Sequence, residues 1–197
     1  MPIFVRSVIP LAGFLILAGC SPAQPPTAAS TPTPTVPVCV PLDGATPFPC
    51  TQADFESLAE QRALYEEAEE VLRRYQAEVE RQEVDWHLRE MTSEFEATTT
   101  GDFTEFNRQL IELDRRDKAK RVTGPAPIVW VKPRPQDSKN GSIATLRACM
   151  DGTQADYVTE TVTAPTPGAA FEYSFYFSRE GHALKIVTSS FKKVVTC

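Results

Sequence analysis

The chain has 197 residues and a formal net charge of −6. An acidic chain does not favour nucleic-acid binding, which relies on Lys and Arg against phosphates, and it argues against a polybasic grip on anionic lipid. Once an N-terminal leader and a proline-rich stretch are set aside, about 145 residues remain, enough for one domain with a hydrophobic core.

Residues 1–19 have the layout of a secretory signal peptide. Arg6 precedes an apolar run of 11 residues, 8–18, whereas a membrane-spanning helix needs about 20. Charge, then apolar run, then small residues is the order found in signal peptides. A buried N-terminal helix is the alternative, and Pro10 and Gly13 disfavour it.

The end of this run, Leu17-Ala18-Gly19-Cys20, resembles the lipobox of bacterial lipoproteins. The resemblance implies cleavage before Cys20 and a diacylglyceryl group on its thiol, with acyl chains of the palmitate kind. Two acyl chains hold a protein stably on a bilayer, whereas one binds only marginally. We therefore expect a lipid anchor at Cys20 and a location on the extracytoplasmic face of the cell membrane. An ordinary secretory signal is the alternative, and it would leave an exposed free thiol.

Residues 20–49 are predicted to be the lipidated cysteine and a disordered stalk, and residues 50–197 an α+β domain. Pro, Thr and Ala dominate the stalk, so it buries little apolar surface and favours extended polyproline conformations. Its Thr-Pro alternation at 30–35 is also compatible with O-linked sugars, although an unmodified linker is the simpler interpretation.

Four cysteines remain besides Cys20, and an even number in an exported chain suggests disulfides. Of the three possible connectivities we favour Cys39–Cys50, in a short loop near the stalk that should add little stability, and Cys149–Cys197, between two strands expected to be antiparallel neighbours. A zinc site is the rival, but the spacings match no metal pattern. We expect neither a metal nor another cofactor.

A long amphipathic helix is predicted to begin near Thr51, with Asp54 completing a weaker form of the capping box. Apolar side chains recur on one face every three or four residues, opposite a glutamate-rich face. A coiled coil is the alternative, but the stripe is short and aromatic, which favours a helix packed on a sheet. The apolar face consists of Phe55, Leu58, Tyr65, Ala68, Leu72, Tyr75 and Val79.

Two further helices are predicted before the strands begin. The first continues the stripe through 84–95, and Thr-Thr-Thr-Gly at 98–101 ends it. Asp102 is expected to cap the second, and the basic segment 115–121 is interpreted as a solvated helix end that suits the helix dipole. The inward side chains of the second helix are predicted to be Phe103, Phe106, Leu110 and Leu113.

The second half of the chain reads as antiparallel strands joined by turns, the clearest turn lying at 137–141. Alternation is strongest at 171–178, where Phe and Tyr alternate with mostly polar residues. Helices followed by a meander define an α+β fold. The predicted strands are 127–133, 142–151, 157–163, 171–178 and 184–197.

Three segments together resemble one family: ALYEEAEEVLRRYQAEV at 63–79, RVTGPAPIVWVKP at 121–133 and ATLRACMDGT at 144–153. They are similar to the lipid-anchored domains of nuclear-transport-factor-2-like fold in actinobacterial cell envelopes. The resemblance covers roughly residues 51–197. It implies a cone in which N-terminal helices wrap a curved antiparallel sheet, but it implies no particular function, because this fold hosts both enzymes and binding modules.

Enzymes that share this cone, such as ketosteroid isomerases and polyketide cyclases, use an acidic base and a Tyr or protonated Asp donor within it. The resemblance offers Asp151, Asp85 or His87 as the base and Tyr157, Tyr173 or Tyr176 as the donor. Each has a structural alternative: Asp151-Gly is a common turn, Asp85 is a helix cap, and Tyr173 lies on the Phe face. No nucleophile elbow, phosphate loop or metalloprotease motif is present.

The leading hypothesis is therefore a non-enzymatic binding or scaffolding lipoprotein of the cell envelope. It is attached to the membrane through Cys20 and offers a cavity or sheet face to a protein, a cell-wall fragment or a small apolar ligand. The first alternative is an enzyme of the isomerase or cyclase type. The second is a phage-encoded exclusion lipoprotein that blocks a partner at the membrane.

We predict that Cys20→Ser abolishes membrane retention, because the thiol that would carry the acyl chains is lost. Cell fractionation and labelling with a fatty-acid analogue measure this, with Ser21→Ala as the matched control that keeps the lipobox. A Cys20→Ser protein that still takes up label and stays with the membranes would contradict the lipoprotein interpretation.

Overall fold

The computed structural model describes residues 36–197. The predicted signal peptide, the predicted lipidation site at Cys20 and the predicted stalk up to residue 35 lie outside the described residues. Helices followed by antiparallel strands form the described part, so the predicted α+β class is confirmed. None of the helices in this part has the length and apolar character needed to cross a bilayer.

A short hairpin precedes the first helix. Strands β1 (Val38–Cys39) and β2 (Phe48–Pro49) pair antiparallel, and a disulfide joins Cys39 to Cys50, as favoured from the sequence. Cys39 is 1% exposed. The Arg62 side chain of the following helix donates to the Val40 carbonyl at 3.1 Å. The described fold therefore includes residues that the sequence assigned to the stalk, because the bridged hairpin packs on the domain.

Helix α1 runs from Gln52 to Glu83. The predicted capping box is present: Thr51 accepts from the Asp54 backbone, and the Asp54 carboxylate accepts from the Thr51 backbone. The middle of the predicted apolar face is buried, whereas Phe55 near the start is 45% exposed. The buried members of that face are Tyr65, Ala68, Leu72 and Tyr75.

The predicted helix over 84–95 is wrong. Residues Trp86–Leu88 form one 3-10 turn, capped by the Asp85 carboxylate, and α2 is limited to Ser93–Thr98. The stripe of apolar residues there matched a helical period, but cap-forming side chains interrupt it. Thr92 begins α2 by accepting from the Phe95 backbone.

Helix α3 extends from Gly101 to Arg116, with Thr100 rather than Asp102 at its N-cap. Its inward stripe is also shifted from the prediction. Phe103, Asn107 and Ile111 are buried, while three of the four residues predicted to face inward are at least 41% exposed. Those three exposed residues are Phe106, Leu110 and Leu113.

Antiparallel strands make up the second half of the chain: β3 (Lys120–Thr123), β4 (Ile128–Pro133), β5 (Ala144–Asp151), β6 (Asp156–Val158), β7 (Thr166–Pro167), β8 (Ala170–Glu180) and β9 (Ala183–Val194). A four-stranded sheet has the order β4-β5-β8-β9, and a smaller sheet has the order β3-β6-β7. In the large sheet, β9 has one extra residue opposite the step from Tyr176 to Phe177 in β8, and this bulge lets both Ile186 and Ser189 face the same side.

The hydrophobic core lies between α1 and the inner face of the large sheet. Leu72 of α1 is fully buried together with Leu146, Phe175, Phe177 and Ile186 of the sheet. The helices are also joined to the sheet through the backbone, because the Thr100 N–H donates to the Ile186 carbonyl at 2.9 Å. The outer face of the same strands is polar, with Glu172 paired to Arg147 and Lys192.

The second disulfide joins Cys149 to Cys197, as favoured from the sequence. The two strands are not neighbours as expected, because β8 lies between β5 and β9. Instead, the three residues after β9 carry the chain past β8. At the end of this segment the Cys197 carbonyl accepts from the Trp130 indole N–H at 3.1 Å. The bridged Cys149 is buried.

We predict that Cys197→Ser lowers the melting temperature markedly. The bridge closes a segment with a sequence separation of 48 residues, for which chain entropy gives about 4 kcal/mol. Thr196→Ser, which keeps the bridge, is the control. Parent-like melting of Cys197→Ser, or a cross-linked peptide joining the two pairs in a non-reducing digest, would contradict this account.

Because the hairpin packs on α1, we also expect Cys39→Ser to cost stability, about 3 kcal/mol for its shorter loop.

Candidate functional site

A cavity of about 440 Å³ lies between the helices and the inner face of the large sheet. Its wall is mostly aromatic and aliphatic, supplied by α1, α2, α3, β5, β8 and β9. At one edge of the cavity, Gly168 lets its backbone approach that of Gly152 closely, because a Cβ at Gly168 would lie 2.4 Å from the Gly152 carbonyl oxygen. The apolar wall comprises Tyr75, Val79, Phe95, Phe103, Phe106, Leu110, Ile111, Ala126, Met150, Ala169, Phe171, Tyr173, Phe175 and Phe191.

Tyr75 is held within this wall by a hydrogen bond and by ring contacts. Its hydroxyl donates to Asn107 Oδ1 at 2.8 Å, and the Asn107 amide donates to the Phe103 carbonyl at 2.7 Å. Burial raises the pKa of the Tyr75 hydroxyl, so the group is a neutral donor at any physiological pH. The ring stands edge-on to Phe95 and Phe175, an arrangement that aromatic pairs prefer.

One end of the cavity is polar. Glu83, the last residue of α1, lies 3.2 Å from Arg121 Nη1 of β3 and 3.5 Å from the Tyr157 hydroxyl of β6. Burial raises the pKa of Glu83, and the positive charges of Arg121 and Arg89 oppose that rise. Burial, with the Glu83 charge as the next cause, raises the pKa of Tyr157 to about 12. The Glu83 carboxyl and the Tyr157 hydroxyl thus lie close to each other beside the apolar part of the cavity.

Arg89 also contributes to the cavity wall, and it comes from the segment between α1 and α2. Its guanidinium pairs with Asp114 of α3 at 2.8 Å. Gln82 holds the segment in place, since its side-chain amide donates to the Glu90 carbonyl at 2.8 Å and accepts from the Glu90 N–H at 3.1 Å.

Glu78 ties the same segment to α1. Its carboxylate accepts from Arg81, from Gln82 and from the Thr92 hydroxyl at 2.8 Å. The hydrogen bond from Arg81 is the main cause that lowers the pKa of Glu78 to about 2, and the bonds from Gln82 and Thr92 act in the same direction.

Of the predicted catalytic candidates, the structure brings Tyr173 and Tyr157 into the cavity. It does not bring the predicted bases there. Asp151 accepts from the backbone and hydroxyl of Thr153 outside the cavity, and the hydroxyl bond is the first cause that lowers its pKa. It therefore acts as the turn residue that the sequence offered as its alternative.

The other three candidates also lie away from the cavity lining. His87 is exposed and stacks on Trp86 with ring centroids 3.6 Å apart. Asp85 caps the turn and bonds to the His87 ring at 2.8 Å. Tyr176 sits on the sheet next to Lys139, whose ammonium lies 5.9 Å from the ring centroid.

Sequence reasoning missed Glu83, Arg89 and Arg121. Arg121 lay in the basic segment interpreted as solvated, yet its side chain is only 9% exposed. Glu83 had a usable signal, because it follows Tyr75 and Val79 at steps of four and so shares their helix face. Arg89 had none, since the sequence predicted a regular helix where the chain makes a 3-10 turn.

The arrangement can hold an apolar molecule and can donate or accept a hydrogen bond at one end. Within residues 36–197 no three His, Cys, Asp or Glu side chains converge as a metal site. The chain matches no protein-family model, and no curated protein has a similar sequence.

We predict that Glu78→Gln destabilises the protein at neutral pH by about 3 kcal/mol, the equivalent of its pKa shift. A carboxylate whose pKa falls from 4.5 to about 2 on folding adds stability above pH 4.5, and that stability is lost as the pH falls towards 2. The gap in melting temperature between parent and variant should close over that interval. Glu70→Gln, exposed on the same helix, is the control. A gap that is constant with pH would contradict the assigned role.

Proposed function

We propose that this chain is a lipid-anchored lipoprotein of a bacterial cell envelope whose folded domain binds a small apolar ligand. The observation that carries this proposal is the cavity of about 440 Å³. Small-molecule sites occupy roughly 300–1,000 Å³, are mostly apolar and contain a few polar groups that orient the ligand. The aromatic wall would supply affinity, and the polar end lined by Glu83, Arg89 and Tyr157 would supply orientation.

We also propose that the described domain is a cone of the nuclear-transport-factor-2 type. A cone of the nuclear-transport-factor-2 type is supported by a long helix against the inner face of a four-stranded antiparallel sheet, with the cavity between them. Since this fold hosts many activities, the role rests on the cavity and not on the fold.

Membrane attachment through Cys20 is supported by the lipobox-like residues 17–20. An extracytoplasmic location is supported by the two disulfides, because such bonds persist in oxidising compartments. The family resemblance favours an actinobacterial envelope. A protein or cell-wall fragment bound on the exposed surface is the scaffolding form of the same proposal.

We predict that Ser189→Phe abolishes binding of an apolar dye such as Nile red. Ser189 lines the cavity, whereas its neighbour Ser190 faces the polar outer side of the sheet. A phenyl ring at 189 would occupy ligand space, and Ser190→Phe adds the same ring on the opposite face as a matched control. Dye fluorescence and melting temperature are measured together. Equal dye binding by both folded variants would contradict the cavity as the binding site.

One observation favours a second candidate, an enzyme that transfers a proton within the cavity. Glu83 has a raised pKa because of burial, and the Tyr157 hydroxyl is 3.5 Å away, so a base and a hydrogen-bond donor face one apolar space. Turnover of an enolisable ketone should then be lost in Glu83→Gln and kept in Glu66→Gln, an exposed control on the same helix. Equal rates in the two variants would exclude this role for Glu83.

A further inference from the structure

Arg89 brings to the cavity wall a buried donor that lacks an acceptor. One of its terminal nitrogens is paired with Asp114 at 2.8 Å. Its Nε–H is buried, and no acceptor in residues 36–197 is placed to receive its hydrogen bond. A buried donor left unpaired destabilises a fold, and an acceptor brought by a ligand removes that penalty.

A second donor lies beside the same end of the cavity. Arg121 Nη1 is 3.2 Å from Glu83 Oε2, close enough for charge attraction. It is not aligned for a hydrogen bond, and this buried nitrogen has no other acceptor among the described residues. Its neighbours Glu83 and Tyr157 line the cavity, whereas Arg121 itself is not among the lining residues. Arg121 therefore adds positive charge close to the polar end, and Arg89 is the arginine that lines the cavity.

The formal charges around these donors cancel. Arg89 faces Asp114, Arg121 faces Glu83, and the nearby Tyr157 is neutral. A ligand carboxylate would add a buried negative charge with no cation to balance it, which is costly. An uncharged oxygen can accept from a buried N–H without that cost.

The rest of the cavity suits the apolar part of such a molecule. Tyr173 and Phe175 stack with ring centroids 5.4 Å apart, and Phe103 stands edge-on to Phe175. Phe106 and Phe191 line the cavity and are also at least half exposed, which places apolar surface where a ligand would enter.

We infer that the cavity binds an uncharged apolar molecule bearing a carbonyl-type oxygen, such as an ester, whose oxygen accepts from Arg89. This inference rests on the proposed ligand-binding function and adds the chemical class of the ligand.

The test uses three probes of matched shape: methyl 2-naphthoate, 2-isopropylnaphthalene and 2-naphthoate. Titration calorimetry at pH 7.5 measures their dissociation constants for the full chain carrying Cys20→Ser, so that an acyl anchor cannot enter the cavity. We expect the ester to bind about tenfold tighter than the hydrocarbon, the factor expected of one buried hydrogen bond. We expect the carboxylate to bind more weakly than the ester.

Arg89→Lys provides the residue-level test. It keeps a positive charge near Asp114 and removes the Nε–H, so the ratio of ester to hydrocarbon affinity should fall towards one. Arg74→Lys, at an exposed arginine of α1 paired with Glu94, should leave that ratio unchanged. Hydrocarbon binding by each variant reports that the cavity is intact. Should Arg89→Lys fail to fold, the ratio of ester to hydrocarbon affinity in the protein with Arg89 unchanged still tests the inference.

The outcomes separate this inference from the proposed function. Equal binding of the ester and the hydrocarbon would overturn the inference and leave the proposed function standing. Tighter binding of the carboxylate would also overturn it, because the site would then prefer an anion. Binding of none of the three probes would contradict the proposed function itself.

Discussion

The architecture depends on the contact between one face of α1 and the inner face of the four-stranded sheet. Ala68 and Leu72 are fully buried there against Phe175 and Phe177. Burying large apolar side chains of this kind contributes about 1.5–3 kcal/mol each. The contact is closed around Leu72 and opens towards the end of the helix, where Val79 and Glu83 line a cavity. The same helix therefore supplies both the core and the candidate site.

At the polar end of the cavity, two ion pairs lie beside an apolar space. Glu83, Arg121, Arg89 and Asp114 are held on four different segments, and each ion pair joins two of them. Buried ion pairs add little net stability, because desolvation offsets their attraction. These pairs instead fix the position of the wall, together with the bonds that the Gln82 side chain makes to the Glu90 backbone.

Much of the fold could be predicted from local patterns, because α1, β8 and the hairpin to β9 have strong periodicity and clear turns. The failures have physical causes. A stripe with helical spacing at 84–95 was broken by side-chain caps at Asp85 and Thr92, and the register bulge opposite Phe177 leaves no mark in composition. The polar end of the cavity could be predicted only at Glu83, for a different reason. Its partner Arg121 lies in β3, and only the folded chain brings that strand to the end of α1.

The Cys39–Cys50 bridge has a consequence for a domain held by its N-terminal side. Tension along the chain would enter at Val36 and reach Cys39 within three residues. It would then pass through the sulfur atoms to Cys50, immediately before α1 begins at Gln52. The ten residues between the cysteines lie outside this load path. The hairpin loop can therefore stay in contact with the helix under a tension that would pull the loop of an unbridged hairpin away.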